Sequence, residues 1–383
     1  MSDVAPAARL PEEWQAELGA MGQPRYRAEQ IFRWIHRKGE LDPSKMTNLP
    51  ADLRAALAER GLAPVAETQG VERAEDGTRK LLVGFPDGGR VECVVIPMTR
   101  LDSDDADAAA LADDEEDESE AQSGPVRVTL CISTQVGCAM GCVFCASGRA
   151  GLKRGLKAGE IVSQVLLARR ELAPGEELKN LVFMGMGEPL HHYEETARAL
   201  RLLTHPDGGG MSPRRITVST VGLVPGMKRL GTDFGGKVGL AVSLHAPDDR
   251  TRDAIIPMNR RYPVAELVQA LRDYPLPKRR RITIEYTLID GINDADQHAE
   301  ALVRLLRGIP VKINLIPMNP VEGSPLRSPS VERVARFQDR LARAGYSCFV
   351  RTRRGSAVNA ACGQLALKSE LVELGRKPAS SPS

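Results

Sequence analysis

Three cysteines, Cys138, Cys142 and Cys145, stand in the spacing C-x3-C-x2-C within the glycine-bearing run GCAMGCVFC. Thiolates this close can each hold one iron of a cubane cluster, leaving the fourth iron without a protein ligand and open to a small molecule. A closed zinc site is the alternative, but it takes four ligands, usually in paired short spacings, and no second C-x2-C or histidine partner follows. Cys131 precedes the run and Cys362 lies near the carboxyl end in NAACGQL. By spacing alone these two read more readily as structural than as catalytic. Cys93 in VECVVIP and Cys348 in YSCFVR read as small buried apolar residues.

These residues need elements to position them. Beyond Gly124, strand and helix patterns alternate, with strands predicted at 126–133, 179–184, 215–220, 237–244, 281–288 and 311–316 and a further one at 346–351. The strands are short and rich in β-branched residues. Helical patterns such as GEIVSQVLLARREL and ADQHAEALVRLLRG lie between them, and SVERVARFQDRLARAG follows 311–316. Six β-α units of this kind predict an α/β fold with a parallel sheet, open or curled into a partial barrel. The unusual local sequence falls just after each strand: GCAMGCVFC, GMGEP, TVG, SLHAP, IDGIND and PMNP. Ligands of parallel α/β folds bind at the carboxyl ends of strands, so six such loops predict one large site.

Upstream, residues 10–61 alternate amphipathic stretches with Pro and Gly punctuation and predict a small helical domain. From Arg79 the period becomes two: RKLLVGF, the turn Pro86-Asp87-Gly88-Gly89, then RVECVVIP, a β-hairpin. Glu92 alone reads as an ordinary outward strand carboxylate, with Cys93 on the opposite face.

The chain has 383 residues, 42% of them hydrophobic, and a net charge of +2, enough for a real core and too long for a single small module. Seven cysteines are far too few for a disulfide scaffold, and MSDVAPAARL has neither the basic nor the apolar region of a secretory signal. A reducing, cytoplasmic setting is expected. No apolar run approaches the ~18 residues needed to span a bilayer, so a membrane protein is excluded. Eleven of the fifty acids lie in residues 101–120, which hold no Lys or Arg, and without them the remainder carries +13. Such a surplus suits a polyanion, and equally a solvated surface. The acidic stretch has few bulky apolar residues and is expected to be disordered.

At the cysteine run the chain resembles the radical S-adenosylmethionine (SAM) enzymes, and GMGEP at 185–189 is similar to their glycine-rich segment after the second strand. The resemblance narrows when Cys131, TQVGC at 134–138, SLHAP at 243–247, NLIPMNP at 314–320 and NAACGQL at 359–365 are read together. These resemble the bacterial methyltransferases of adenine carbon-2 in large-subunit rRNA and tRNA, whose close relatives methylate carbon-8. The likeness runs from the N-terminal helices to about residue 368, and the acidic stretch 101–124 is the departure from it.

That resemblance implies a partial (β/α)6 TIM-like barrel of the radical SAM type, with a small N-terminal helical domain and a β-hairpin extension. It implies one 4Fe-4S cluster on Cys138, Cys142 and Cys145, completed by SAM, with SAM contacts at Gly187, Glu188, Ser219, Ser243, Leu244, His245 and Asn319. Glu188 would receive the SAM ammonium, although His245 reads equally as a core histidine. Two SAM molecules would be consumed. One methylates Cys362, and a 5′-deoxyadenosyl radical from the second converts that methyl to a methylene radical that adds to the base. Glu92 would remove the ring hydrogen, and Cys131 would attack the sulfur of the covalent RNA adduct, releasing product as a transient disulfide with Cys362 forms. Direct attack on a SAM methyl by adenine carbon-2, which lies between two ring nitrogens, is unfavourable, so a radical route is required.

The implied partners are 23S rRNA at the peptidyl-transferase centre, tRNA at the adenine 3′ of the anticodon, and an electron donor such as flavodoxin or ferredoxin, with the enzyme monomeric. Candidate RNA contacts are Arg149, Lys153, Arg154 and Lys157; Arg214 and Arg215; Lys278 to Arg281; Arg351, Arg353 and Arg354; and, on the helical domain, Arg25, Arg27, Arg33, Arg37 and Lys38. Only 15 aromatic residues argue against an extended stacking platform. The expected division is 1–66 helical RNA-contact domain, 67–100 hairpin carrying Glu92, 101–124 disordered acidic insertion, 125–370 barrel and 371–383 disordered tail. Two rivals stay open: carbon-8 methylation, which would confer antibiotic resistance, and a non-catalytic, metal-stabilised RNA-binding protein.

Overall fold

The structure, a computed structural model, describes residues 4–98, 124–321, 323–351, 360 and 363–365. The acidic segment 101–120, Arg353, Arg354, Cys362 and the tail 371–383 lie outside the described residues.

Short β-branched runs bury both faces only where helices cover a parallel sheet, and the chain from Val126 onward does this. Strands β4 (Val126–Cys131), β7 (Glu176–Phe183), β8 (Ile216–Thr220), β9 (Gly239–Ser243), β10 (Ile282–Leu288), β11 (Val311–Pro317) and β12 (Ser347–Val350) follow one another in the sheet, all parallel. Helices Ala158–Arg170, Tyr193–Thr204, Val224–Phe234, Val264–Arg272, Asp296–Leu305 and Val331–Arg343 make the crossovers. The predicted strands are all present, with ends moved by up to three residues.

The predicted hairpin is larger than the period-two pattern indicated. β2 (Arg79–Gly84) and β3 (Arg90–Pro97) are joined by an edge strand, β1 (Glu67–Arg73), and β3 pairs antiparallel with β4. The extension is therefore a three-strand meander that continues the barrel sheet to ten strands. β1 escaped prediction because as an edge strand it buries little and shows no apolar alternation. A small separate hairpin, β5 (Gln135–Gly137) with β6 (Leu152–Gly155), brackets the cysteine run.

The N-terminal helices Pro11–Ala20, Tyr26–His36 and Ala51–Glu59 share the barrel's core cluster, through Trp14, Phe32 and Ile35 among others. Arg198 binds both carboxylate oxygens of Glu13 at 2.9 and 2.7 Å, and Arg169 reaches the carbonyls of His36 and Gly209. Among the described residues no helix is long and apolar enough to cross a membrane.

Candidate active site

The cysteine run leaves β5 through Gly137, whose φ of +78° is a left-handed conformation and where a Cβ would meet the Gly151 carbonyl oxygen at 1.8 Å. Only glycine allows β5 and β6 to close this tightly, and the closure sets the start of the loop, with Cys138 N–H donating to that same carbonyl at 3.0 Å. The loop ends at Cys145, which caps the short helix Ala146–Ala150. Cys138 and Cys142 are buried and Cys145 half-buried. Burial pushes the Cys138 thiol up to about 12 and that of Cys142 well above its ordinary value. Both are held neutral unless a cation shares their cavity, and iron would supply that condition. The three thiols line one cavity wall, while among the described residues no group of three or more His, Cys, Asp or Glu side chains is gathered to enclose a metal ion. Three thiols on one wall can serve a cluster that takes one thiolate per iron.

The opposite walls come from the carboxyl ends of β7 through β12, which must curl for these ends to share one cavity. Gly187, Glu188, Ser219, Ser243, His245 and Asn319 all line it. Gly187 has φ +104°, and a Cβ there would strike Gln135. Two of the expected contacts have further partners in the fold. Leu244 is fully buried in the apolar core and is absent from the cavity lining. Glu188, expected to receive the SAM ammonium, accepts backbone N–H bonds from Leu190 at 3.0 Å and Val221 at 2.8 Å, so its carboxylate ties the loop after β7 to the loop after β8. Burial nevertheless raises its pKa to about 7. His245 is at once a core and a cavity residue. Its φ is +55°, its Nδ1 accepts from Thr287 N–H at 2.8 Å, and burial with the Arg252 charge lowers its pKa to about 3, so the ring is neutral.

Glu92 and Cys131 are placed by register. Val94 pairs with Cys131 across β3 and β4, so Glu92, two residues before Val94, shares the face of Cys131. The same face passes from Cys131 to Val182 and Thr217, and from Ser219 to Ala241 and Lys312 by way of Thr283. It therefore includes Ser219, Ser243 and Glu285, which line the cavity. Glu92 is not an outward carboxylate: it is 5% exposed and lies 3.1 Å from Lys80 Nζ. Neither Glu92 nor Cys131 lines the three-thiol cavity itself; both stand beside it on the inner face. Cys93 faces the other side, fully buried, as expected.

Cys362 lies outside the described residues, but its neighbour Gly363 lines the cavity and accepts from Ala146 N–H at 2.9 Å. Among the described residues no disulfide joins the cysteines.

Sequence reasoning missed Glu285, whose Oε1 accepts from Asn314 at 3.0 Å on the inner face. It also missed Arg252, 1% exposed, which donates to the carbonyls of Val221, Ser243 and Leu244 and to Asn259 Oδ1. Nothing in DRTRDAI marks that arginine, because its partners are brought to it by three separate loops. Among the proposed RNA contacts, Arg351 lines the cavity. Arg154 also pairs within the chain with Glu160 and Asp87, and Arg33 with Asp207 at 2.7 Å.

Residues 132–303 match the Radical SAM superfamily, and residues 12–62 match the ribosomal RNA large subunit methyltransferase N-terminal domain. A protein of Sorangium cellulosum named dual-specificity RNA methyltransferase RlmN is 61% identical, covering 97% of this chain and 96% of its own. One of the same name from Anaeromyxobacter dehalogenans is 46% identical, with 96% and 93% covered. The crystal structure of a radical SAM methyltransferase from Sphaerobacter thermophilus superposes with a TM-score of 0.83 at 44% identity, covering 94% of this chain and 99% of that one.

Proposed function

The chain belongs to the RlmN family of dual-specificity RNA methyltransferases, a branch of the radical SAM superfamily, and we propose that it methylates adenine carbon-2 in 23S rRNA and tRNA through Glu92, Cys131 and Cys362. The observation that carries this reading is the register of Val94 with Cys131, which gives Glu92 and Cys131 one common face beside a cavity walled by three thiols.

Cys138, Cys142 and Cys145 are the residues to hold a 4Fe-4S cluster, and Ser219, Ser243, His245 and Asn319 with the Gly187–Glu188 turn would hold SAM. When bound, these groups supply the methyl group and the 5′-deoxyadenosyl radical. The chain's own residues do the rest. Hydroxyls and an amide on the cavity wall suit a ribose and an adenine edge. Neutral His245 holds the backbone of Thr287 and stands in a T-shaped contact with Phe144, 4.7 Å away between centroids. Cys362 carries the methyl as a thioether and joins it to the base. Glu92, as a carboxylate on the inner face, takes the proton from the ring carbon. The Cys131 thiolate then attacks the sulfur of Cys362, the carbon–sulfur bond breaks with its electron pair on the product carbon, which takes up a proton to become the methyl group, and a disulfide remains to be reduced; the one electron left over from the radical addition is one the cluster would take up.

The electron donor is a small reducing protein of the flavodoxin or ferredoxin kind, and the enzyme acts as a monomer in the reducing cytoplasm. In rRNA the target is the adenine of the peptidyl-transferase centre, and in tRNA the adenine 3′ of the anticodon. Nucleoside mass spectrometry of rRNA and tRNA from a strain lacking the gene, against its parent, tests the reading. Loss of 2-methyladenosine from both is expected. If it persists while 8-methyladenosine vanishes, the carbon-8 reaction takes its place.

A further inference from the structure

β2 contributes a lysine, Lys80, to the face that bears Glu92 and Cys131, since Lys80 pairs with Val94 and Val94 with Cys131. Its side chain is 5% exposed. Its Nζ lies 3.1 Å from Glu92 Oε1 and 3.5 Å from Oε2 of Glu72, the residue opposite it on β1. Glu92 is 7% exposed at its side chain and Glu72 47%, so the three charges form a line from a buried carboxylate to a solvent-facing one.

A buried ammonium gives up hydration that its partners restore only in part, and an apolar pair of equal volume would join β2 to β3 at least as well. An apolar neighbour, however, would leave a buried carboxylate to protonate. We propose that Lys80 is a positioning residue for Glu92, holding its carboxylate ionised and fixed until the adenine arrives. This rests on the reading of Glu92 as the base. The second carboxylate gives the arrangement its use. Before the reaction the triad carries two negative charges and one positive. When the C–H bond of the adduct breaks, its electron pair stays with the adenine ring and its proton passes to the Glu92 carboxylate, which brings the triad to zero net charge. Lys80 stays protonated and keeps Glu72 as its counter-ion, so proton uptake strands no charge in the interior. A one-to-one pair lacks this property, because neutralising Glu92 would leave the buried ammonium alone.

The test uses the full-length, cluster-loaded enzyme as Lys80→Met, Lys80→Gln and Lys80→Arg. The Glu92 carboxyl is titrated by infrared difference against the corresponding Glu92→Gln protein, alongside the pH profile of single-turnover methylation. Removing the charge should move the Glu92 titration and the acid limb of the profile upward by about one pH unit or more. Methylation below that limb should then fall about tenfold, with SAM cleavage unchanged. Lys80→Arg, which keeps the charge, should restore both readings. If the carboxyl titrates at its native pH in whichever of Lys80→Met and Lys80→Gln folds, the proposal is overturned. Full methylation by Glu92→Gln would instead remove the base assignment, and the infrared arm would still report whether Lys80 sets the charge of that carboxylate.

Discussion

The hydroxyl of Ser133 donates to the backbone carbonyl of Glu92 at 2.6 Å and accepts from the N–H of Met186 at 2.8 Å. One buried side chain thus joins the strand that carries Glu92 to the glycine-rich loop that carries Gly187 and Glu188. Gln164 fixes it from the crossover helix, accepting from Ser133 N–H at 2.9 Å and donating to its carbonyl at 2.8 Å. The strand proposed to accept the proton and the loop proposed to face SAM are therefore held in common.

Ser133→Ala removes that link and leaves a buried carbonyl and N–H short of a partner, a cost of about 1–3 kcal/mol. Thermal melting should fall accordingly. SAM affinity, measured by calorimetry, should weaken several-fold although no SAM-facing side chain is altered. An unchanged affinity would mean that the loop keeps its position without the hydroxyl.

Cys131→Ala should accumulate as a covalent protein–RNA species on denaturing gels, because the base can add to the methylated cysteine but not be released. Free protein with normal turnover would remove Cys131 from the mechanism. Its companion, Cys362→Ala, should bind iron normally, form no RNA adduct and be inactive.

Arg252→Met should destabilise the carboxyl ends of β8 and β9. Three carbonyls and the Asn259 amide oxygen lose their donor inside the protein, a loss of about 3 kcal/mol or more. Urea midpoints read the stability and calorimetry the SAM affinity, and both should drop. A variant as stable as the parent would mean that water reaches those carbonyls.

His36 is buried between the helical domain and the barrel, with both ring nitrogens lacking a hydrogen-bond partner among the described residues. Burial first, then the charges of His205 and Arg169, lowers its pKa from 6.5 to about 3. The unfolded chain therefore binds the extra proton between these values. The stability tied to neutral His36 is complete above pH 6.5 and is lost as pH falls toward 3. His36→Leu should flatten this acid loss, seen as a smaller drop in urea midpoint between pH 7.5 and pH 5. An equal drop in both proteins would place the acid sensitivity elsewhere.

Much of this protein is local. The spacing of Cys138, Cys142 and Cys145, the period of the seven parallel strands and the punctuation around the N-terminal helices depend on residues a few positions apart, where covalent geometry alone sets what shares a face or a loop. The placing of Ser219, Ser243 and Asn319 around one cavity followed from the general rule that loops converge at the carboxyl ends of parallel strands. The partners of Glu92 did not follow. Lys80, Ser133 and Glu72 stand up to 41 residues from it in the chain, and they meet it only because β1, β2, β3 and β4 lie side by side in one register. A slip of one residue would turn Glu92 to the helix-covered face and Cys93 inward. That choice is settled by which side chains the completed sheet can bury, as are the commitment of Glu188 to two backbone amides and of Arg252 to three carbonyls. Local pattern supplied the thiols and the strands, and tertiary packing decided which buried charges stand next to which.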